Sequence, residues 1–363
     1  WNEALGLPRP WDQQWSLRMQ QVLAYESDLL EYPDLFAGSH VVEALVSDIV
    51  DGARVELEKI QELGGVVAAV ESGYLKSALV ASLAERRRRL ESGSDVVAGV
   101  NRFTETEPSP LTAAGALAVE RVDPGAEAAA AQAVREWRAN RDAAVTEVAL
   151  ARLRKDAADP AVNLMDATLA CVRARVTTGE WAGVLREVFG EYRAPTGLSA
   201  GGQVGWDDDL AWVRERVRRT AAEIGNVRLR LLVGKPGLDG HSNGAEQIAV
   251  RARDAGFEVV YQGIRLTPAQ IVAAAVEEDV DLVGLSVLSG SHLAAVPAVL
   301  DGLRAAGRVD LPVVVGGIIP APDAEVLRTA GVARVFTPKD FALTGIIDEL
   351  VTVVREANGL SLS

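Results

Sequence analysis

The sequence has one cysteine, few aromatic residues and no long uninterrupted apolar run. A single cysteine, Cys171, allows no disulfide within the chain, which is typical of proteins from reducing compartments. No stretch approaches the roughly 18 apolar residues that a membrane-spanning helix needs. The first residues also lack the basic start and apolar core of a signal peptide. These absences predict a cytoplasmic protein without disulfides and without a membrane partner.

Positive charge is scarce as well. The chain has 37 Lys and Arg against 51 Asp and Glu, which gives a net charge of −14. This balance argues against a nucleic-acid backbone as partner. The remaining composition, 48% hydrophobic and 24% charged, is that of a globular chain, and 363 residues favour two domains. The apolar neighbours of Cys171 predict that it is a core thiol and not a nucleophile.

The most informative stretch is residues 234–244, with the sequence Gly-Lys-Pro-Gly-Leu-Asp-Gly-His-Ser-Asn-Gly. It lies between an apolar run typical of a buried parallel strand and a segment with helical spacing. In open α/β sheets, ligands bind at this end of the strands. Asp239 could orient His241 as a metal ligand, and Lys235 could keep Asp239 charged. The loop alone leaves open a glycine-rich phosphate loop in which His241 is incidental.

Two further predicted strands end in small residues. Asp281–Val287 runs into Ser286-Val287-Leu288-Ser289-Gly290, and Leu311–Val315 ends in Gly316-Gly317. Glycine has no Cβ, so a bulky ligand can approach the backbone closely at such positions. Because the carboxyl ends of parallel strands lie at one edge of a sheet, these residues and the 234–244 loop predict one common ligand site.

Three motifs in order, Asp239-Gly240-His241-Ser242-Asn243-Gly244, Ser286-Val287-Leu288 and Gly316-Gly317, resemble a known signature. It is the Asp-x-His-x-x-Gly, Ser-x-Leu, Gly-Gly pattern of the cobalamin-binding domain of adenosylcobalamin-dependent mutases and methionine synthase. The resemblance implies bound adenosylcobalamin, with His241 as lower cobalt ligand and Asp239 and Lys235 behind it. The displaced nucleotide tail would pass along the sheet, flanked by Phe336, for which ordinary core packing is the alternative. The implied cofactor contacts are Asp239, His241, Gly244, Ser286, Leu288, Gly290, Gly316, Gly317 and Phe336.

The start of the chain resembles the segment after the last barrel strand of the acyl-CoA mutases. In that family the Glu-Ala pair lies against the upper face of the corrin, which implies cofactor contacts for Glu3 and Ala4. A helix-start acid is the alternative for Glu3. The stretches 7–15 and 28–32 are most similar to the ethylmalonyl-CoA mutase group. This implies a radical isomerase that converts ethylmalonyl-CoA to methylsuccinyl-CoA, with a methylmalonyl-CoA mutase-type isomerase as the alternative.

The resemblance also implies a division of the chain. Residues 1–110 would be the C-terminal part of the (β/α)8 acyl-CoA mutase barrel, 111–206 a helical linker region and 207–363 the cobalamin-binding domain. Alternating strand and helix patterns predict about five parallel strands in the last part, hence a flavodoxin-like, doubly wound α/β sheet. Since the family's acyl-CoA-binding residues lie upstream of Trp1, the expected partners are an acyl-CoA bound through the missing barrel half and a homodimer or another mutase chain.

Other interpretations remain open at this point. A corrinoid methyltransferase module would carry the same loop, but its flanking domain is usually a compact helical cap. A non-enzymatic receiver-like domain would need acidic clusters at the strand ends, which Lys235 and His241 do not provide. His292 is favoured as a helix cap over a corrin contact. In the N-terminal part, the pattern predicts a short strand at Val96–Phe103, and farther on one long helix over Gly125–Asp156.

Overall fold

The computed structural model describes residues 9–105, 107, 123, 125–192, 210–288, 290–337, 339–340 and 342–361. The chain divides into two compact units, of which the larger joins residues 1–120 to 194–363 and the smaller spans 121–193. Within the described ranges, no helix is both long and apolar enough to cross a membrane.

Helices make up most of both units. In chain order they are α1 (Pro10–Tyr25), α2 (His40–Glu62), α3 (Val66–Glu71), α4 (Tyr74–Glu91), α5 (Ala126–Ala139), α6 (Ala143–Ala157), α7 (Met165–Arg173), α8 (Thr178–Phe189), α9 (Ala211–Glu223), α10 (Asn243–Asp254), α11 (Pro268–Glu277), α12 (His292–Ala305), α13 (Ala321–Ala330) and α14 (Leu343–Ala357). One 3-10 turn, Asp28–Leu30, follows α1.

A five-stranded parallel sheet forms the centre of the larger unit. Its strands are β1 (Arg230–Gly234), β2 (Glu258–Tyr261), β3 (Leu282–Val287), β4 (Val313–Gly317) and β5 (Arg334–Phe336). They lie in the order β2-β1-β3-β4-β5, which is the flavodoxin-like order. The predicted doubly wound α/β fold is therefore confirmed.

Helices cover both faces of this sheet. On the first face α9, α10 and α14 pack against residues such as Leu231, Leu282 and Val314. On the second face α11, α12 and α13 pack against residues such as Val283 and Val315. Successive side chains of a strand point to opposite faces. The alternation in β3 therefore puts Gly284 and Ser286 on the first face with Leu282, and the same rule puts Gly316 there with Val314.

The N-terminal helices of the larger unit bury little apolar surface. Helix α2 has no buried residue, although Val41, Leu45 and Ile49 repeat at helical spacing along it. Val41 and Ile49 are each 71% exposed. The apolar stripe of α2 thus has no partner among the described residues.

The strand predicted at Val96–Phe103 is wrong. The structure has turns there, with one isolated bridge between Ala98 and Arg102. The amide of Asn101 explains the difference, because its oxygen accepts from the Val97 N–H and its nitrogen donates to carbonyls of the preceding helix end and turn. Such side-chain bonds compete with a strand ladder for the backbone groups.

The smaller unit consists of α5 to α8. The single helix predicted over Gly125–Asp156 is interrupted between α5 and α6, where the Asp142 carboxylate accepts from the N–H groups of Ala144 and Val145 and so begins a new helix. The core contains Leu153 and Cys171. Cys171 is 1% exposed, and burial raises the pKa of its thiol, which confirms the predicted core role.

One ion pair of this smaller unit gives a pH prediction. Arg141 donates to both carboxylate oxygens of Glu180 at 2.6 and 2.5 Å, and the Arg141 bonds are the main reason that the pKa of Glu180 falls to about 2. In an unfolded chain the pKa of Glu is about 4.3. The lowered pKa therefore contributes stability above about pH 4.3 that is lost as the pH falls toward 2.

We expect Glu180→Gln to lower the free energy of unfolding at neutral pH by up to about 3 kcal/mol, and this loss to vanish near pH 2. Urea unfolding of the full chain at several pH values measures it. Glu187→Gln is the matched control, since Glu187 pairs with Arg154 at the surface, where such pairs contribute little. An equal loss in both variants, or a loss that does not depend on pH, would contradict the assignment.

Candidate functional site

The loop that follows β1 is held to the neighbouring connection by backbone hydrogen bonds. The N–H of Gly237 donates to the Leu266 carbonyl at 2.9 Å, and the N–H of Leu266 donates to the Lys235 carbonyl at 3.1 Å. Gly237 has φ +89°, a conformation that favours glycine. The loop is therefore fixed at the carboxyl end of the sheet, and α10 begins immediately after it.

A chain of hydrogen bonds within this loop joins the side chains of Lys235, Asp239 and His241. The Lys235 ammonium donates to Asp239 Oδ2 at 2.7 Å. Asp239 Oδ1 lies 2.7 Å from His241 Nδ1 and also accepts the His241 backbone N–H at 2.9 Å. The three residues that the sequence predicts as a relay are thus brought together in the predicted order.

Burial and the neighbouring charges decide the protonation of Asp239. The side chains of Lys235 and Asp239 are 1% and 2% exposed. Burial by itself would raise the pKa of Asp239, but the bond from Lys235 and those from His241 outweigh it and hold that pKa well below its usual range. An ionised carboxylate only accepts hydrogen bonds, so His241 donates through Nδ1. In the neutral imidazole, the lone pair is therefore on Nε2.

The imidazole of His241 is available to a ligand. Its side chain is 77% exposed, although Asp239 behind it is buried. In the part of the chain that the structure describes, no group of three or more His, Cys, Asp or Glu residues could hold a metal ion. One imidazole does not satisfy a free metal ion, which takes about four or more ligands. The donor set fits a metal that brings its other ligands with it, as cobalt in a corrin ring does.

A row of three predicted residues crosses the first face of the sheet. In the strand register Ser286 is the partner of Gly316, and Gly316 is the partner of Phe336. Helix α10 presents small residues, including Ala245 and Ala249, to the same face. Ser286, Gly316 and these two alanines together form what we call the small-residue band.

Gly316 and Gly317 are glycines for different reasons. A Cβ on Gly316 would have only Phe336 Cβ within reach, at 4.0 Å, so the protein itself leaves room for a side chain. A Cβ on Gly317 would lie 1.8 Å from the Val287 carbonyl oxygen, and the φ of Gly317 is +155°. From the sequence, both glycines were expected to leave space for a ligand. At Gly317, however, the neighbouring strand β3 by itself excludes a side chain.

The other predicted contacts are spread around the band. Gly244 is exposed in the first turn of α10, Leu288 is half-buried directly after β3, and Gly290 is exposed with φ +75°. Glu3 and Ala4 lie outside the described residues.

His292 does not cap a helix as the sequence favours. It is the first residue of α12, is 3% exposed, and its Nε2 lies 2.9 Å from Asp323 Oδ2. It thereby connects the first turns of α12 and α13, the helices that follow β3 and β4. The capping prediction is wrong because the His292 imidazole pairs with the carboxylate of Asp323, a residue distant in sequence.

Two residues close in sequence to the predicted site residues were not singled out from the sequence. Gly284 lies on the first face of the sheet, two residues before Ser286, and a Cβ there would make only ordinary contacts. Because side chains two positions apart in a strand face the same side, the position of Gly284 relative to Ser286 was a signal in the sequence. Leu238 is 90% exposed beside Asp239, and an apolar residue in a polar glycine-rich loop is the signal that was available.

Two parts of the chain match models of known protein families. Residues 1–191 match the family model described as methylmalonyl-CoA mutase, which is more than half of the chain, and residues 229–347 match that of the B12 binding domain. The second match contains Lys235, Asp239, His241 and the small-residue band.

Individual relatives were also found. The chain is 54% identical to the ethylmalonyl-CoA mutase of Cereibacter sphaeroides, over 98% of this chain and 53% of that protein. It is 53% identical to the ethylmalonyl-CoA mutase of Methylorubrum extorquens, over 98% and 51%. The mitochondrial methylmalonyl-CoA mutase of Homo sapiens is 33% identical, over 93% and 44%. The chain spans about half the length of these curated relatives.

Proposed function

The chain belongs to the methylmalonyl-CoA mutase family, and from this premise we propose that it is the cobalamin-binding part of a radical acyl-CoA mutase that converts ethylmalonyl-CoA to methylsuccinyl-CoA. The observation that carries the proposal is the Lys235–Asp239–His241 chain, which ends in an exposed imidazole nitrogen. The higher identity to ethylmalonyl-CoA mutases than to methylmalonyl-CoA mutase, 54% against 33%, favours the ethylmalonyl substrate.

The cofactor of this proposal is adenosylcobalamin, which supplies an organic radical when it is bound. His241 is the residue that would ligate its cobalt through Nε2. Asp239 holds the imidazole in the required tautomer, and Lys235 keeps Asp239 charged. The residues that we propose for the nucleotide tail belong to β3, β4 and β5 or to the segments that follow β1 and β3. They are Gly244, Ser286, Leu288, Gly290, Gly316, Gly317 and Phe336.

The proposed division of labour follows the domain boundaries expected from the sequence. Residues 1–110 would complete a mutase barrel, 111–206 would link it, and 207–363 would hold the cofactor. A (β/α)8 barrel takes about 250 residues. The acyl-CoA would therefore be bound with barrel residues that lie outside residues 1–363. A homodimer or association with another mutase chain is part of the proposal. The exposed apolar stripe of α2 supports such a partner, because α2 has no buried residue here. A cytoplasmic location remains a prediction of the sequence.

Adding adenosylcobalamin to the purified chain tests this proposal. We expect tight binding with the absorbance spectrum of a cobalamin whose own base is displaced and replaced by histidine. We expect no isomerisation of ethylmalonyl-CoA by the chain alone, because the acyl-CoA-binding residues are supplied elsewhere. A bound cofactor that keeps its own base on cobalt would refute the cobalamin site, and turnover by the chain alone would refute the need for a partner.

The alternatives have distinct readouts in the same assay. A methylmalonyl-CoA mutase-type isomerase would, after addition of the complementary half, prefer methylmalonyl-CoA over ethylmalonyl-CoA. A corrinoid methyltransferase module would accept a methyl group on its cofactor and pass it on. The match of residues 1–191 to a mutase model speaks against the second alternative.

A further inference from the structure

Helix α4 lies against α10, the helix that begins directly after His241. The Gln247 side chain donates to the Val80 carbonyl at 3.3 Å. At the other end of α4, the Glu91 carboxylate accepts the backbone N–H of Leu343 at 2.7 Å. The N-terminal segment of the larger unit therefore touches α10 and α14, two of the helices that pack on the first face of the sheet.

At the start of α4, Lys76 makes two polar contacts with the first turn of α10. Its ammonium lies 2.6 Å from Glu246 Oε1 and donates to Ser242 Oγ at 3.0 Å. The Glu246 side chain is 4% exposed, whereas that of Lys76 is 27% exposed. A carboxylate buried to this degree requires a cationic or hydrogen-bonding partner. Lys76 is thus the cation that allows Glu246 to be buried beside the His241 loop.

Ser242 stands at the N-cap of α10, where a serine side chain normally accepts an N–H of the first turn. Here its hydroxyl makes no such capping bond, and its oxygen accepts from Lys76. Because Ser242 is the next residue after His241, the position of this hydroxyl helps to set the position of the His241 backbone. Asp239 contacts His241 itself, and Lys76 contacts its chain neighbour Ser242.

We propose that Lys76 is a positioning residue for His241, which fixes the first turn of α10 and thereby the place from which the imidazole meets the cobalt. This inference rests on the proposed function, since it takes His241 to be the cobalt ligand. Lys76 acts through Ser242 and Glu246 and does not itself touch the cofactor. Through it, the segment that the mutase family model matches is coupled to the ligand loop of the cobalamin domain.

Lys76→Met tests the inference in the full chain. We expect about a tenfold weaker affinity for cobalamin, since changes behind a metal ligand cost about 10- to 100-fold. We also expect a smaller fraction of histidine-ligated cobalt in the absorbance and EPR spectra, with partial recovery in Lys76→Arg. Without cofactor, the amide protons of residues 240–246 should exchange faster. Lys59→Met is the matched control, because Lys59 pairs with Glu56 on the exposed surface of α2.

A second variant separates positioning from general packing. Gln247→Leu removes another α4–α10 contact but leaves Ser242 and Glu246 bound to Lys76. We expect it to keep the wild-type fraction of histidine-ligated cobalt even if it lowers the melting temperature. The inference is overturned if Lys76→Met keeps the wild-type spectrum, or if both variants lose histidine ligation equally at equal stability. A wild-type chain without histidine-ligated cobalt would instead refute the proposed function.

Discussion

His241→Ala is expected to bind cobalamin at least about 100-fold more weakly than the wild type, and to show no histidine-ligated cobalt. This factor is a lower bound, because losing a group that hydrogen-bonds to a metal ligand already lowers metal affinity about 10- to 100-fold. The side chain is 77% exposed, so its removal leaves no cavity, and the fold should be unchanged. Equilibrium titration with adenosylcobalamin and the absorbance spectrum of the bound form measure both effects.

Two further variants complete this experiment. His40→Ala is the matched control, since His40 is an exposed histidine at the start of α2 and should leave binding unchanged. Asp239→Asn should fall between wild type and His241→Ala, because it keeps the imidazole but removes the carboxylate charge that fixes its tautomer. If His241→Ala retained the wild-type spectrum, some other group would have to be the ligand.

The series Gly316→Ala and Gly316→Val should progressively exclude the nucleotide tail while leaving the apo fold intact. A Cβ at Gly316 approaches only Phe336, at 4.0 Å, and valine suits a strand. Burying a flat base of roughly 150–250 Å² contributes about 4–6 kcal/mol. Loss of that burial corresponds to about a thousandfold weaker binding or more. Cofactor titrations measure the affinity, and thermal unfolding measures the stability of the apo protein.

A corrinoid without the nucleotide tail provides the internal comparison. Cobinamide lacks the base, so its affinity should be nearly the same for wild type and Gly316→Val. Gly317→Ala should behave differently, because its Cβ would collide with the Val287 carbonyl and destabilise the apo protein itself. If Gly316→Val weakened cobinamide as much as cobalamin, the band along the first face of the sheet would not be the path of the tail.

Much of this architecture is readable from the sequence because parallel sheets impose simple rules. The apolar runs ending at Val233, Val287 and Val315 are buried on both faces, so they identify central strands without ambiguity. The residues that follow such strands must meet at one edge. For this reason the sequence predicts the Lys235–Asp239–His241 chain and one common site for Ser286 and Gly316, although their direct pairing is seen only in the strand register.

The features that the sequence did not predict depend on contacts between distant residues. Lys76 and Glu246 are separated by 170 positions, and nothing local marks either as half of a buried ion pair. The same holds for His292 and Asp323, where a long-range carboxylate replaced the expected cap. From the sequence, Gly317 was expected to leave space for a ligand, whereas the register of β3 and β4 shows that a side chain there would clash with the Val287 carbonyl.

Nitrogen-isotope labelling addresses the coordination of cobalt most directly. The chain is produced with nitrogen-15 throughout, loaded with unlabelled cobalamin, and reduced to the Co(II) form for EPR spectroscopy. We expect the nitrogen hyperfine pattern to become the doublet of a nitrogen-15 ligand, because Nε2 of His241 would ligate the cobalt. A pattern that keeps the triplet of unlabelled nitrogen would show that the cofactor's own base still ligates the cobalt. That result would rule out His241 as the ligand.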